Sequence, residues 1–265
     1  MHLALVNGQR TPPSPKLTGT CPVCGDPMLS KCGTVKVHHW AHRGVRVCDD
    51  WWERELAWHR DWKNKFPLQW QESIRFAEGG EKHIADVRTE AGLVIEFQHS
   101  ALKPAEREAR ERFYGNMVWV VNGTRLVRDL PRFLEYKDML RGTENNGIFT
   151  CHAPEWLFPR NWITSSACVF FDFGVQDGQP DVLWCLLPYR VYGEAIVIAM
   201  QRSDFVARAQ QSAEVIPAKA IAENIAQRMQ MAAARQAQVN RQRASILMLQ
   251  QLQRRQWRGQ RRRRL

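Results

Sequence analysis

Cys21 and Cys24 form a Cys-x-x-Cys pair, and His39 and His42 follow as His-x-x-His. Two thiolates and two imidazoles are the donor set of tetrahedral zinc. Pro22 and Gly25 suit a tight knuckle, and a short hairpin would bring the two pairs together. His38 is a second choice among the histidines, and Cys32 or Cys48 could replace a histidine, so the site is better defined than its ligands. The alternative is buried cysteines beside ordinary histidines.

A second group is made of carboxylates. Asp86 lies in Ile84-Ala85-Asp86-Val87 and Glu96 in Val94-Ile95-Glu96-Phe97, both apolar strand-like runs where an acid is costly to bury unless it pairs or binds a metal. Glu96 and Gln98 share a strand face by alternation. Two carboxylates and an amide on neighbouring strands make an oxygen-rich site suited to Mg2+ or Mn2+, which would activate water and stabilise charge on a phosphate. Glu55, His59 and Lys63 fall at four-residue steps on an expected helix. Glu55 could add a metal ligand, while His59 and Lys63 could steady a phosphate or relay a proton. An exposed ion-paired helix face is the alternative for these three. Glu72, His83 and Ser100 are expected to support the carboxylates from behind or to serve as structural hydrogen-bonders.

The elements that must position these groups are legible in outline. A leader (1–19) precedes the zinc-binding module (20–48). A helix over 50–65 is capped by Asp49 or Asp50 and stopped by Pro67, with Trp51, Trp52, Leu56, Trp58 and Trp62 as its apolar positions. Strands are expected at 68–76, 83–88 and 93–99, separated by Gly79-Gly80 and Glu90-Ala91-Gly92. A charged helix over 103–114 then crosses to a buried strand at 117–121. This α/β core spans 49–145. Residues 148–206 read as a small β extension, and 207–265 as a basic helical tail rich in Gln, Arg and Ala.

The run from Cys21 through His38-His39-Trp40-Ala41-His42, then Glu55, His59, Lys63, HIADV, IEFQHS and the Arg-bearing helix before MVWVV resembles the CoiA-like competence protein family. That family belongs to the PD-(D/E)XK nuclease superfamily, and the likeness covers about residues 20–122. The resemblance implies a restriction-endonuclease-like fold and a DNA nuclease acting in uptake, processing or recombination. By position, Asp86 matches the metal-binding aspartate, Glu96 the glutamate of the motif, Gln98 its lysine, and Glu55 the helical glutamate. Ala85 replaces the motif's proline, which does no chemistry. Gln98 cannot act as a cation or base, though glutamine is usual here in CoiA-like sequences and Lys63 could supply the charge.

Charge sharpens the expected partner. The first 200 residues hold 24 Lys and Arg against 24 Asp and Glu, and the last 65 hold 14 against 3, so the whole excess of +11 sits in the tail. A neutral body with a cationic arm suits a polyanion such as nucleic acid, the alternative being a solvated tail that aids solubility. Arg254, Arg255, Arg261, Arg262, Arg263 and Arg264 are the expected tail contacts, with Arg107 and Arg110 near the site. The tail helix could also mediate self-association or hold a protein partner. Tyr114, Trp119 and the Trp-rich helix are expected as core. At 265 residues and 44% hydrophobic content, wholesale disorder is excluded. No apolar run reaches the roughly 20 residues that span a bilayer, and no secretory signal is visible, so no membrane partner and a cytoplasmic location are expected. Seven cysteines, an odd number, favour metal for the close pair and core packing for Cys151, Cys168 and Cys185. The competing reading is a non-catalytic DNA-binding recombination-accessory protein with a degenerate nuclease site.

Overall fold

A computed structural model describes residues 1–44, 51, 55–77, 80, 82–175 and 181–262, with side chains described as far as 251. Cys48, Asp49, Asp50, Trp52, Gly79 and the side chains of Arg254, Arg255, Arg261, Arg262, Arg263 and Arg264, all invoked from sequence, lie outside the described residues. Met1–Ala218 form one compact unit and Lys219–Leu265 a second.

The first sheet contains β1 (Ala4–Val6), β2 (Gln9–Thr11), β3 (Thr18–Thr20), β4 (Pro27–Lys31) and β5 (His39–His42), in the order β2-β1-β3-β4-β5. All its pairings are antiparallel. Asn7 and Gly8, at φ 52° and 78°, form the two-residue turn joining β1 to β2. This turn matches the right-handed strand twist and favours Asn-Gly. Residues 1–19 are therefore no separate leader: Leu5 pairs with Thr20, and β1 seats Ala4 in one core with Met1, Cys21, Met28 and Trp40. A strand this short cannot bury a face alone, so it is completed by the module that follows it.

The second sheet and the helices interleaved with its strands run, in chain order, α1 (Ala57–Lys63), β6 (Gln71–Phe76), β7 (Lys82–Arg88), β8 (Val94–Gln98), α2 (Pro104–Tyr114), β9 (Met117–Asn122), α3 (Asp129–Tyr136), β10 (Arg141–Gly142), β11 (Ile148–Cys151), β12 (Cys168–Asp172), β13 (Val182–Val191) and β14 (Glu194–Gln201). Its strand order is β10-β11-β14-β13-β12-β9-β8-β7-β6. The centre is parallel, β8 with β9 and β9 with β12, and α2 is the crossover between β8 and β9. All residues of these three strands are buried, as parallel strands covered on both faces must be.

Residues 148–206 are not a separate extension. Cys168 to Asp172 pair residue for residue with Val118 to Asn122, so one sheet continues through both regions. Trp119, Val121, Val169 and Phe171 share one core cluster, and Cys151, Cys168 and Cys185 are buried as expected. α4 (Arg202–Gln211) follows β14 and buries Phe205 and Ala209, so the helical region begins before residue 207. α5 (Ala218–Arg262) is a 45-residue helix, and its side chains from Met231 to Gln251 are exposed. Among the described residues, no helix is long and apolar enough to cross a membrane.

Candidate functional site

The backbone around the cysteine pair is a tight knuckle. Gly25 N donates to Cys21 O (2.9 Å), Cys21 N donates to Asp26 O (2.8 Å), and Val23 N donates to Cys21 Sγ (3.4 Å). The β4–β5 hairpin places His42 opposite Met28, beside this knuckle. The ligand atoms of Cys21, Cys24 and His42 all lie within 4.8 Å of one another, and Cys24 Sγ is 3.3 Å from His42 Nε2. Zinc bonds of about 2.0–2.3 Å in a tetrahedron would separate such donors by about 3.5–3.8 Å, so the set fits zinc. His39 is not in it. The pair His39 and His42 lies on β5, where a three-residue step reverses the face, and His39 Nδ1 meets Val37 O at 2.9 Å. The expected hairpin does form, but among the described residues only His42 of the histidine pair joins the two cysteines.

The carboxylates gather around one lysine. Lys63, the last residue of α1 and only 4% exposed, has its Nζ 3.0 Å from Asp86 Oδ1, 3.4 Å from Glu55 Oε1 and 3.5 Å from Glu72 Oε1. Burial alone would lower its pKa, but Asp86, Glu55 and Glu72 outweigh burial and hold it above the ordinary value. Burial likewise pushes Glu55 and Glu72 up, while Lys63, joined by Arg60 at Glu55, holds both below the usual carboxylate range. Both acids and the lysine therefore stay charged at neutral pH.

Asp86 and Glu96 meet where β7 and β8 part. The ladder between these strands pairs Arg88 with Val94 and Val87 with Ile95 and then ceases. Beyond it, Asp86 N donates to Glu96 Oε1 (3.1 Å) and Phe97 N donates to Asp86 Oδ2 (3.0 Å). Side-chain oxygens thus take over from backbone carbonyls at this point. Glu96 Oε2 also accepts from Arg110 Nη1 at 3.2 Å. The Asp86 side chain is 23% exposed, against 6% for Glu55 and 5% for Glu72 and Glu96, so solvent enters at Asp86. Gln98 is buried, and its Nε2 donates to Ser100 O at 3.2 Å.

Several expected placements differ. Glu55 precedes the helix, because Leu56 is extended and the first helical bond runs from Arg60 N to Leu56 O. Its carboxylate folds over the helix start to Arg60 Nε and Nη2 at 3.0 and 2.7 Å. Glu55 therefore holds two cations rather than standing open as a metal ligand. His59 is buried, with its ring centroid 5.3 Å from Trp58 and 6.1 Å from His99. His83 stacks on Trp51. Arg107 and Arg110 are 0% and 6% exposed, so neither offers its charge to a phosphate at the surface. Arg107 is held by Glu111, Glu108 and Thr164, and Arg110 by Glu96, Glu106 and Trp51 O.

Two further features complete the surroundings of the site, and the first involves Glu72, one of the residues expected to support the carboxylates. Glu72 has φ 48°, costly for a residue with a side chain, and accepts from His2 N (2.6 Å) and Leu3 N (2.8 Å). It ties the first sheet to the lysine site, and Arg60 Nη2 does the same by donating to His38 O at 3.1 Å. On the far side of α1, Asp172 accepts from Trp58 Nε1 (2.9 Å), Trp62 Nε1 (2.8 Å) and a bidentate Arg202 (2.7 and 2.9 Å). These bonds anchor α1, and with it Lys63, to the end of β12. No local pattern announces this, because the tryptophans lie more than a hundred residues from Asp172 in the chain. Comparison with family models, curated proteins and solved structures finds no match for this chain.

Proposed function

We propose that this chain is a divalent-metal-dependent DNA nuclease with a restriction-endonuclease-like PD-(D/E)XK core, akin to CoiA-like proteins and carrying a structural zinc. The observation that carries the reading is the meeting of Asp86 and Glu96 at the parting of β7 and β8, with Lys63 Nζ 3.0 Å from Asp86. The succession α1, three antiparallel strands, α2 and a parallel strand supports it.

Asp86 and Glu96 are the oxygen donors that would hold Mg2+ or Mn2+, since such ions take one or two carboxylates and keep several waters. When bound, the cation supplies Lewis-acid polarisation of the phosphate and a more acidic water. Lys63 brings a fixed positive charge beside Asp86, where charge accumulates on a phosphate during in-line attack. It stands in for the cation that Gln98 lacks. Glu55 and Glu72 are positioning residues that hold Lys63 in its charged form. The exposure of Asp86 gives water and substrate their way in. Arginines of the tail would hold DNA by its phosphates without reading sequence.

One observation favours the second reading, a non-catalytic DNA-binding accessory protein. Lys63 already faces three carboxylates, so its charge is neutralised within the protein. Incubating the purified full chain with linear double-stranded, circular and single-stranded DNA, with Mg2+, Mn2+ or no added metal, separates the two. Metal-dependent cleavage supports the nuclease. Salt-sensitive binding with no cleavage of any substrate supports the accessory protein.

A further inference from the structure

Immediately past β8 the chain borders a cavity of about 140 Å3, lined among others by His99, Ser100, Val121, Phe171, Asp129 and Asn161. It lies at the C-terminal ends of the parallel strands β8, β9 and β12, where open α/β sheets bind ligands. Glu96 pairs with Trp119, Gln98 with Val121, and Val121 with Phe171, so these residues share one face of the sheet. At about 3.3 Å per residue, the three steps from Glu96 to His99 cover about 10 Å.

We infer that this cavity receives a pyrimidine base, cytosine before thymine, from a single-stranded or frayed stretch of DNA. The base would belong to a nucleotide next to the phosphodiester held at Asp86, and that placement rests on the nuclease reading. Size comes first. A protein cavity of about 150 Å3 takes one benzene ring, so this one holds a six-membered ring and not a purine's fused pair.

Chemistry agrees with size. Val121 and Phe171, neighbours on one face of the sheet, give an apolar wall for one ring face. Asn161 Nδ2 donates to Leu102 O at 2.6 Å, which fixes the amide, and Asn161 Oδ1 is buried without a hydrogen-bond partner among the described residues. That oxygen is a spare acceptor in the lining, and Asp129, itself buried and with Oδ1 accepting from Arg132 Nη2 at 3.3 Å, has its second carboxylate oxygen as a further one. The exocyclic amino group of cytosine is the donor such acceptors recognise. Arg125, exposed and in the lining, supplies a cation for the phosphate outside.

The test is equilibrium binding of short single-stranded oligonucleotides to the full chain without added divalent metal. Deoxycytidine, thymidine, deoxyadenosine and abasic oligonucleotides of equal length carry equal charge, so the basic tail contributes alike to each. The expected result is deoxycytidine binding at least about tenfold tighter than the abasic strand, with thymidine and deoxyadenosine weaker than deoxycytidine. Asn161→Leu, and separately Leu126→Trp in the lining loop, should each abolish that preference while leaving abasic binding unchanged. Equal affinity of wild-type protein for deoxycytidine and abasic strands, or deoxyadenosine as tight as deoxycytidine, would overturn the inference. The wild-type comparison stands even if a variant fails to fold. Failure of metal-dependent hydrolysis would count against the nuclease reading and leave this binding readout intact.

Discussion

Lys63 Nζ lies 3.0 Å from Asp86 Oδ1, joining the end of α1 to the strand that carries the site's most exposed carboxylate. Glu55 and Glu72 approach the same ammonium from two other segments, so four charged groups form one unit. Deleting the cation takes the shared counter-charge from three acids, of which Glu55 keeps Arg60, in a site largely closed to water. Lys63→Met should therefore cost about 3–5 kcal/mol of unfolding free energy, read from urea denaturation. A cost below about 1 kcal/mol would mean that the cluster is looser than these distances imply.

Acid should weaken the fold for the same reason. Burial acts to raise the Glu55, Glu72 and Asp172 pKa values, but their cations outweigh it and hold all three below the ordinary range. A depressed folded pKa gives stability that is complete above the unfolded value and lost as pH falls through the folded one. Unfolding free energy should thus decline from about pH 4.3 downward as these carboxylates are forced to protonate. Glu72→Gln should flatten that decline. An unchanged slope in the variant would remove Glu72 from the explanation.

The zinc set makes a discriminating prediction. Protein purified without chelator should carry one zinc per chain, and His42→Ala or Cys24→Ser should lose most of it, whereas His39→Ala should keep it. Elemental analysis of the three variants decides this. Retention by His42→Ala with loss in His39→Ala would contradict the strand alternation that puts them on opposite faces.

DNA affinity should depend on the tail and not on the arginines of α2. Removing residues 252–265, which hold seven arginines, should lower affinity and flatten the dependence of log affinity on log salt. The slope should fall by about 0.7–0.9 for each phosphate the shortened chain leaves unneutralised. Arg107→Ala should instead lower the unfolding midpoint and leave the salt slope unchanged, because its guanidinium is enclosed by Glu111 and Thr164. A slope change in Arg107→Ala would contradict that burial.

What could be read from sequence was what local pattern dictates. The alternating and apolar runs at β7, β8 and β9 and the charged α2 were legible within a residue or two, because period and Pro or Gly boundaries are local. Asp86 and Glu96 were legible as costly acids in apolar strands. Glu55 was misplaced because its spacing was read as helical where the backbone is extended, and His39 because a three-residue step along a strand reverses the face. The arginines of α2 gave alternating charge but no sign of burial, which depends on a distant loop supplying Thr164, Ser165 and Ser166 to Arg107 and Glu111. The joining of β9 to β12 was equally invisible, since a parallel pairing across some fifty residues leaves no short-range mark.

The most direct measurement is DNA cleavage by the full chain in Mg2+ or Mn2+, compared with Asp86→Ala and Glu96→Ala at equal concentration and equal folded fraction by circular dichroism. The expected result is metal-dependent cleavage by the wild-type protein and a reduction of at least about a hundredfold in each variant, with DNA affinity retained. Cleavage that persists in both variants, or no cleavage by the wild-type protein with either metal, would contradict the assignment of Asp86 and Glu96 as the centre of a nuclease site.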